Sequence, residues 1–242
     1  GNSFDKKLLL MIKATSDYKI AEERKVLGIS KYLLEKSKED LKYRAEYDLL
    51  TGIHNVQTFY EEVSEMIKNN PENRYAIVRL DIDKFKLIND LYGFDEGNNV
   101  LKYVAKQLAL IMDEEEDACC RMSADIFCMC MKYNAIEEIT ERIKHITQVI
   151  KEYDINYNIM PYFGICLVEN LSTDISIQCD WANLALKTIK GNRLINYAMY
   201  DNKLRKSLLD ERKFESEMER ALSLEQFEMY LQPQYDISTS KI

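Results

Sequence analysis

The sequence predicts an α+β domain with a ferredoxin-like split βαββαβ arrangement, preceded by a long helix. Three observations carry this. Between residues 75 and 168 the apolar pattern runs strand, helix, strand, strand, helix, strand, with a further helix and strand added by residue 200. The second and third strands, residues 118–122 and 126–131, lie too close for anything but a hairpin, with Ser123, Ala124 and Asp125 at its tip. Residues 1–46 are rich in helix formers and contain no proline and one internal glycine, Gly28.

In chain order, the first stretch predicts a long helix over 1–46. Leu27, Leu34 and Leu41 recur every seven residues, but Ser30, Ser37 and Arg44 follow three further on, so half of a coiled-coil seam is present. Two readings stand: an input helix that couples an upstream sensor to the domain, or a helix packed on the domain itself. Residues 48–55, Asp-Leu-Leu-Thr-Gly-Ile-His-Asn, break this helix and open the next, over 56–68, with Thr51, Gly52 and Asn55 as turn residues. The domain proper therefore spans 47–203. Residues 75–80 form a short apolar strand that runs out in Asp81 and Asp83, and an acidic loop leads to a helix over 98–112. The acidic run 113–117 reads as a solvated loop. After the hairpin come a helix over 135–153, a strand over 160–168, a helix over 175–190 and a short strand over 197–200. A connecting helix occupies 204–225, and 226–242 begins a further unit.

With 242 residues, 46% hydrophobic and 31% charged, the chain can bury one good core and start a second. The net charge of -8 argues against a nucleic-acid groove, which needs a basic face, but suits a nucleotide held through a metal. No pair among Cys119, Cys120, Cys128, Cys130, Cys166 and Cys179 has CxxC spacing, and Cys128 and Cys130 share a strand face, so they read as buried core thiols of a reduced compartment. No apolar run approaches bilayer length, so no membrane contact and a cytoplasmic location are expected.

Two aspartates at i and i+2 as a strand ends can hold a hard divalent cation, because magnesium prefers carboxylate oxygens and brings phosphates with it. They can equally terminate a strand and solvate its end. The pattern that follows them is more specific. Residues 81–90, Asp-Ile-Asp-Lys-Phe-Lys-Leu-Ile-Asn-Asp, followed by Gly93 and Gly97, resemble the signature of GGDEF domains, the diguanylate cyclase family. Residues 48–55 likewise resemble that family's DxLTGLxNR turn, with Val56 in place of the usual arginine. The resemblance covers roughly 47–201 and implies a nucleotidyl cyclase-like fold and a homodimer that joins two GTP molecules.

It also implies site roles. Asp81, the backbone carbonyl of Ile82 and Asp125 would hold Mg2+, Lys86, Lys190 and Arg193 would meet phosphates, and Asn89 would read guanine. Asn98 takes the second guanine-reading position and Phe94 that of a usual histidine. The family's hairpin motif is degenerate: residues 121–127, Arg-Met-Ser-Ala-Asp-Ile-Phe, align with RYGGDEF. Ser123 and Ala124 thus replace two glycines, Asp125 keeps the first acid, Ile126 replaces the second, and Phe127 is kept. Residues 185–193 are two shorter after Lys190 than the family pattern, and the product-inhibition motif RxxD falls on Glu114 and Asp117. Residues 227–236 resemble the first strand of an EAL domain, which implies a GGDEF–EAL tandem. The expectation is a catalytically impaired GGDEF domain that regulates an attached EAL phosphodiesterase and binds GTP and magnesium weakly. The alternatives are a weakly active diguanylate cyclase and a nucleotide-free dimerisation spacer.

Overall fold

A computed structural model describes residues 2–113, 115–192, 194–228 and 230. The long first helix, α1 (Asn2–Glu46), is followed by β1 (His54–Asn55), α2 (Val56–Asn69), β2 (Arg74–Ile82), α3 (Phe85–Tyr92) and α4 (Phe94–Ile111). Then come β3 (Ala118–Ser123), β4 (Ile126–Tyr133), α5 (Ile136–Lys151), β5 (Pro161–Leu167), α6 (Ile175–Ile189), β6 (Tyr197–Met199) and α7 (Asn202–Ser223). The sheet runs β1-β3-β4-β2-β5-β6, with β2 central and antiparallel to both β4 and β5. The split βαββαβ core is β2 to β5, and β1 and β6 are parallel additions at its edges.

Strand alternation divides the core into two layers. Ala76, Val78, Leu80 and Ile82 of β2, with Phe127, Met129 and Met131 of β4, pack under α4 and α5. Tyr75 and Ile77, with Cys128 and Cys130, pack under Phe59, Val63 and Ile67 of α2 and Cys179 and Ala182 of α6. As the shared face of Cys128 and Cys130 predicts, the cysteines are free and, apart from partly buried Cys119, buried. Burial pushes the Cys119 and Cys166 thiols up to about 12. Helix α6 lies so close to β5 that a Cβ on Gly164 would sit 1.8 Å from the Ala182 carbonyl oxygen.

Several boundaries differ from the sequence reading. Strand β2 continues through Ile82, so Asp81 stands within the strand and is fixed by its ladder. Much of the expected acidic loop is helical: α3 and α4 are broken only at Gly93, whose φ of 87° serves as the corner between them. The run 113–117 is not simply a solvated loop, because Asp117 is 5% exposed. Of the two readings of the first helix, packing along the domain is not what the structure shows, since residues 22–45 of α1 are exposed. Contact is made at its end, where Tyr43 stacks on Tyr47 at 4.7 Å, Tyr47 meets His54 at 4.9 Å, and Asn55 Nδ2 donates to the Ala45 carbonyl. In the expected strand at 227–236, Phe227, Glu228 and Tyr230 carry no strand, and its other residues lie outside the described residues.

Candidate functional site

The site is built where β2, the β3–β4 turn and the end of α6 meet. The register pairs Asp81 with Ile126 on β4 and with Tyr162 on β5. The Val168 and Asp83 amides donate to the Tyr75 and Met160 carbonyls, so odd-numbered β2 residues bond toward β5 and even-numbered ones toward β4. The N–H and C=O of Ile82 therefore point toward Asp125. The side chains alternate the other way: Asp81 and Ile126 project together on the α6 side, while Phe127 is buried in the opposite layer.

Asp81 is 9% exposed, and Lys190, which caps the C-terminus of α6, places Nζ 2.8 Å from its Oδ2. Asp125 lies close enough to feel both charges. Burial first, and then the charge of Asp81, push its carboxyl above the ordinary aspartate range, against the opposing pull of Lys190 and of the backbone amides of Asp125 and Ile82. Two carboxylates facing one another, with an ammonium alongside and a strand carbonyl aimed at them, form a donor set that fits one magnesium ion. Among the described residues no cluster of three His, Cys, Asp or Glu side chains fits a metal. The position beside Asp81 that could have supplied a third acid carries Ile126.

The turn itself is held by a clamp whose role the sequence reading did not assign. Arg121 donates from Nε and Nη2 to the Ala124 carbonyl at 2.9 and 2.7 Å, and from Nη1 to Asp48 Oδ1 at 3.0 Å. Asp48 also accepts from the Thr51 amide and hydroxyl at 2.9 and 2.6 Å. Burial pushes the Asp48 carboxyl up, but the Thr51 and Arg121 bonds outweigh it and hold it below the ordinary aspartate range. The turn at the end of α1 is thereby tied to the hairpin tip. Ala124 sits at φ 47°, the left-handed region where glycine is preferred and a Cβ costs about 1–2 kcal/mol. Spacing could have flagged both clamp residues, since each lies in a motif, but not their pairing across 73 residues.

The base-reading candidates form a second group, on α3 and α4. A Cβ on Gly97 would fall 1.9 Å from Asn89 Oδ1, so Gly97 makes the room in which the Asn89 side chain lies. Asn98, the next residue of α4, is half-buried beside it. Lys86 is exposed one turn before Asn89 on α3, and Phe94 is 78% exposed. Arg193 lies outside the described residues, although Tyr162 Oη donates to the Asn192 carbonyl just before it. Of the product-inhibition positions, Glu114 also lies outside them. Asp117 is committed to the fold: it accepts from the Asp113 and Lys132 amides and from Arg142.

Comparison with known proteins bears on the family and the fold. The sequence profile described as "Diguanylate cyclase, GGDEF domain" matches residues 45–194. The cyclic di-GMP phosphodiesterase NbdA of Pseudomonas aeruginosa is 28% identical over 212 residues, 83% of this chain and 26% of that protein. The probable diguanylate cyclase DgcE of Escherichia coli is 28% identical over 115 residues, 47% of this chain and 10% of that protein. The chain thus spans about a quarter or less of the length of these relatives. Among solved structures, the coiled coil and GGDEF domain of DgcB from Caulobacter crescentus, in complex with c-di-GMP, superposes with a TM-score of 0.60 at 20% identity, covering 72% of this chain and 96% of that one. Diguanylate cyclase SiaD from Pseudomonas aeruginosa, in complex with its activator SiaC, gives 0.58 at 19% identity over 81% and 79%. These two likenesses establish the fold.

Proposed function

The chain belongs to the GGDEF, diguanylate cyclase, family, and on that premise we propose that it is a degenerate member that binds GTP weakly with magnesium, makes no cyclic di-GMP at enzymatic rates and regulates an attached EAL phosphodiesterase. The observation that carries the reading is Ile126. It projects beside Asp81 at the place where a second hairpin acid would face the substrate, and it offers no lone pair to a metal or a nucleophile. Phosphoryl transfer depends on positioning and on neutralising charge, so the loss of one such carboxylate costs several kcal/mol of transition-state stabilisation, roughly a thousandfold in rate.

What remains is a binding set. Asp81, Asp125 and the Ile82 carbonyl would hold the magnesium ion, which when bound neutralises phosphate charge. Lys190 and Lys86 would meet phosphate oxygens, Asn89 would address the guanine edge, and Asn98 would add a weaker, uncharged contact. Lys190 must leave Asp81 to reach a phosphate, which makes the ion pair a resting state that the nucleotide has to open. Signal would enter through α1, whose end is tied to the hairpin by Asp48 and Arg121. The EAL partner is supported by the resemblance at 227–236 and by a relative named as a cyclic di-GMP phosphodiesterase. A second copy of the chain is the other expected partner, through the exposed α1.

Calorimetry with GTP and magnesium, alongside a product assay, tests the reading. Expected are weak heats that Asp81→Asn abolishes, weaker binding of ATP than of GTP, and no product. Cyclic di-GMP formed at about one turnover per second would establish the cyclase alternative. No heat at millimolar GTP would overturn the nucleotide reading and leave the spacer in its place, although the retained Asp81, Lys86, Asn89 and Lys190 argue against it.

A further inference from the structure

We propose that the far end of the sheet holds a second ligand site, for a small organic cation with N–H donors. Strand β5 starts at the candidate nucleotide site, where Pro161 pairs with Ile82, and its other end opens into a cavity of about 400 Å³. The walls come from the end of β5, the first turns of α6 and the β6–α7 junction. That volume suits a small molecule.

The wall carries an acceptor that no described residue satisfies. Gln178 is 2% exposed, and its Nε2 donates to the Thr173 carbonyl at 2.9 Å. A carbonyl only accepts, so this bond fixes which way round the amide lies and leaves Oε1 as the other end. Among the described residues Oε1 has no hydrogen-bond partner. A buried acceptor left unmade costs about 1–3 kcal/mol, which a ligand N–H would recover. The charge of the lining fixes the rest of the chemistry: Glu169 and Asp201 supply two carboxylates, and none of the described lining residues is Lys, Arg or His. One oxygen of Asp201 is taken by the Lys203 amide at the start of α7, which leaves its second oxygen and Glu169 to the ligand.

Trp181 and Tyr200, stacked 5.2 Å apart and 3° from parallel, give the cavity an aromatic wall, a surface that attracts organic cations. Arg205, which is not among the lining residues, is already engaged over Trp181 at 6.0 Å and with the Tyr200 hydroxyl. A ligand bound here bridges α6 to the first residues of α7, the helix that leads out of the domain. This site is independent of the nucleotide reading, because it shares no residue with it.

Trp181 is the only tryptophan of the chain, so its emission reports on this cavity alone. The full chain is titrated with n-butylammonium and with n-butylguanidinium, with 1-butanol as the neutral control. A saturable change with at least one cation and none with 1-butanol is expected. Glu169→Gln, on the exposed rim, and Gln178→Met, close in volume, should each raise the half-saturating concentration about tenfold, the value of one charge-assisted hydrogen bond. No saturable change with either cation, an equal change with 1-butanol, or a folded variant of either kind that binds unchanged would overturn the proposal. If Gln178→Met fails to fold, Glu169→Gln decides.

Discussion

Asp117 and Asp125 stand at opposite ends of one hairpin, the first just before β3 and the second in the turn that follows it, and the fold treats them in opposite ways. Asp117 has a full set of donors: two backbone amides at 2.9 Å and the Arg142 guanidinium. Asp125 faces another acid, and its carboxyl is pushed up by burial and by that neighbour. Asp48 resembles Asp117, with Thr51 and Arg121 as its donors. An acid whose donors are all internal holds strands together. An acid left opposite a second acid has capacity for a cation that the chain only partly supplies through Lys190.

Breaking the satisfied acid should have the largest effect. Asp117→Ala leaves the Arg142 charge, 24% exposed, without its partner, and should cost about 3–5 kcal/mol in urea unfolding. A double-mutant cycle with Arg142→Ala should show strong coupling, and a loss below about 1 kcal/mol would mean that the pair is ornamental. Asp48→Ala comes next, at about 1–3 kcal/mol. The Asp48 carboxyl is held below its ordinary value of 3.8, so its stabilisation is complete above that pH and is lost as pH falls through the lowered folded value. The Asp48→Ala deficit should therefore shrink in acid, and a deficit independent of pH would assign the loss to packing instead.

The same contrast explains what was legible in the sequence. Long periodic segments such as α2, α5 and β5 announced themselves, and strand alternation alone put Cys128 and Cys130 on one face. Motif resemblance gathered Asp81, Asp125 and Lys190, and the fold does bring them together. What stayed hidden depends on tertiary partners. Helix α3 has eight residues and one buried side chain, Ile88, so its period could not stand out against Lys86, Asn89 and Asp90. Strand β1 has two residues and is defined by its pairing with β3 and a bridge from His54 to Tyr47, neither of which has a local signal. Asp117 looked solvated because the arginine that buries it comes 25 residues later.

A smaller effect sharpens the turn side of the comparison. Ala124→Gly removes a Cβ from a left-handed corner, and should stabilise the chain by up to about 1 kcal/mol, reduced by the extra freedom that glycine gives the unfolded chain. A drop in melting temperature would mean that the Ala124 methyl makes a contact worth more than the strain.

The finest test is Asp125→Asn, and its sign is opposite to that of the other acids. A carboxyl whose folded value is raised binds its proton more tightly in the folded chain than in the unfolded one. Stability therefore falls as pH rises from the ordinary value of 3.8 through the raised folded value, and above that value the penalty is constant. The amide variant carries no such penalty, so it should melt higher than the parent at neutral pH, with the advantage fading as pH drops below 3.8. Magnesium should reverse the ranking. A cation shared by Asp81 and Asp125 offsets the repulsion that the parent suffers and finds one carboxylate fewer in the variant, so added magnesium should raise the parent's melting temperature more. A variant less stable than its parent at neutral pH without magnesium would show that Asp125, like Asp117, is a structural acid, and the cation reading of the hairpin would fall with it.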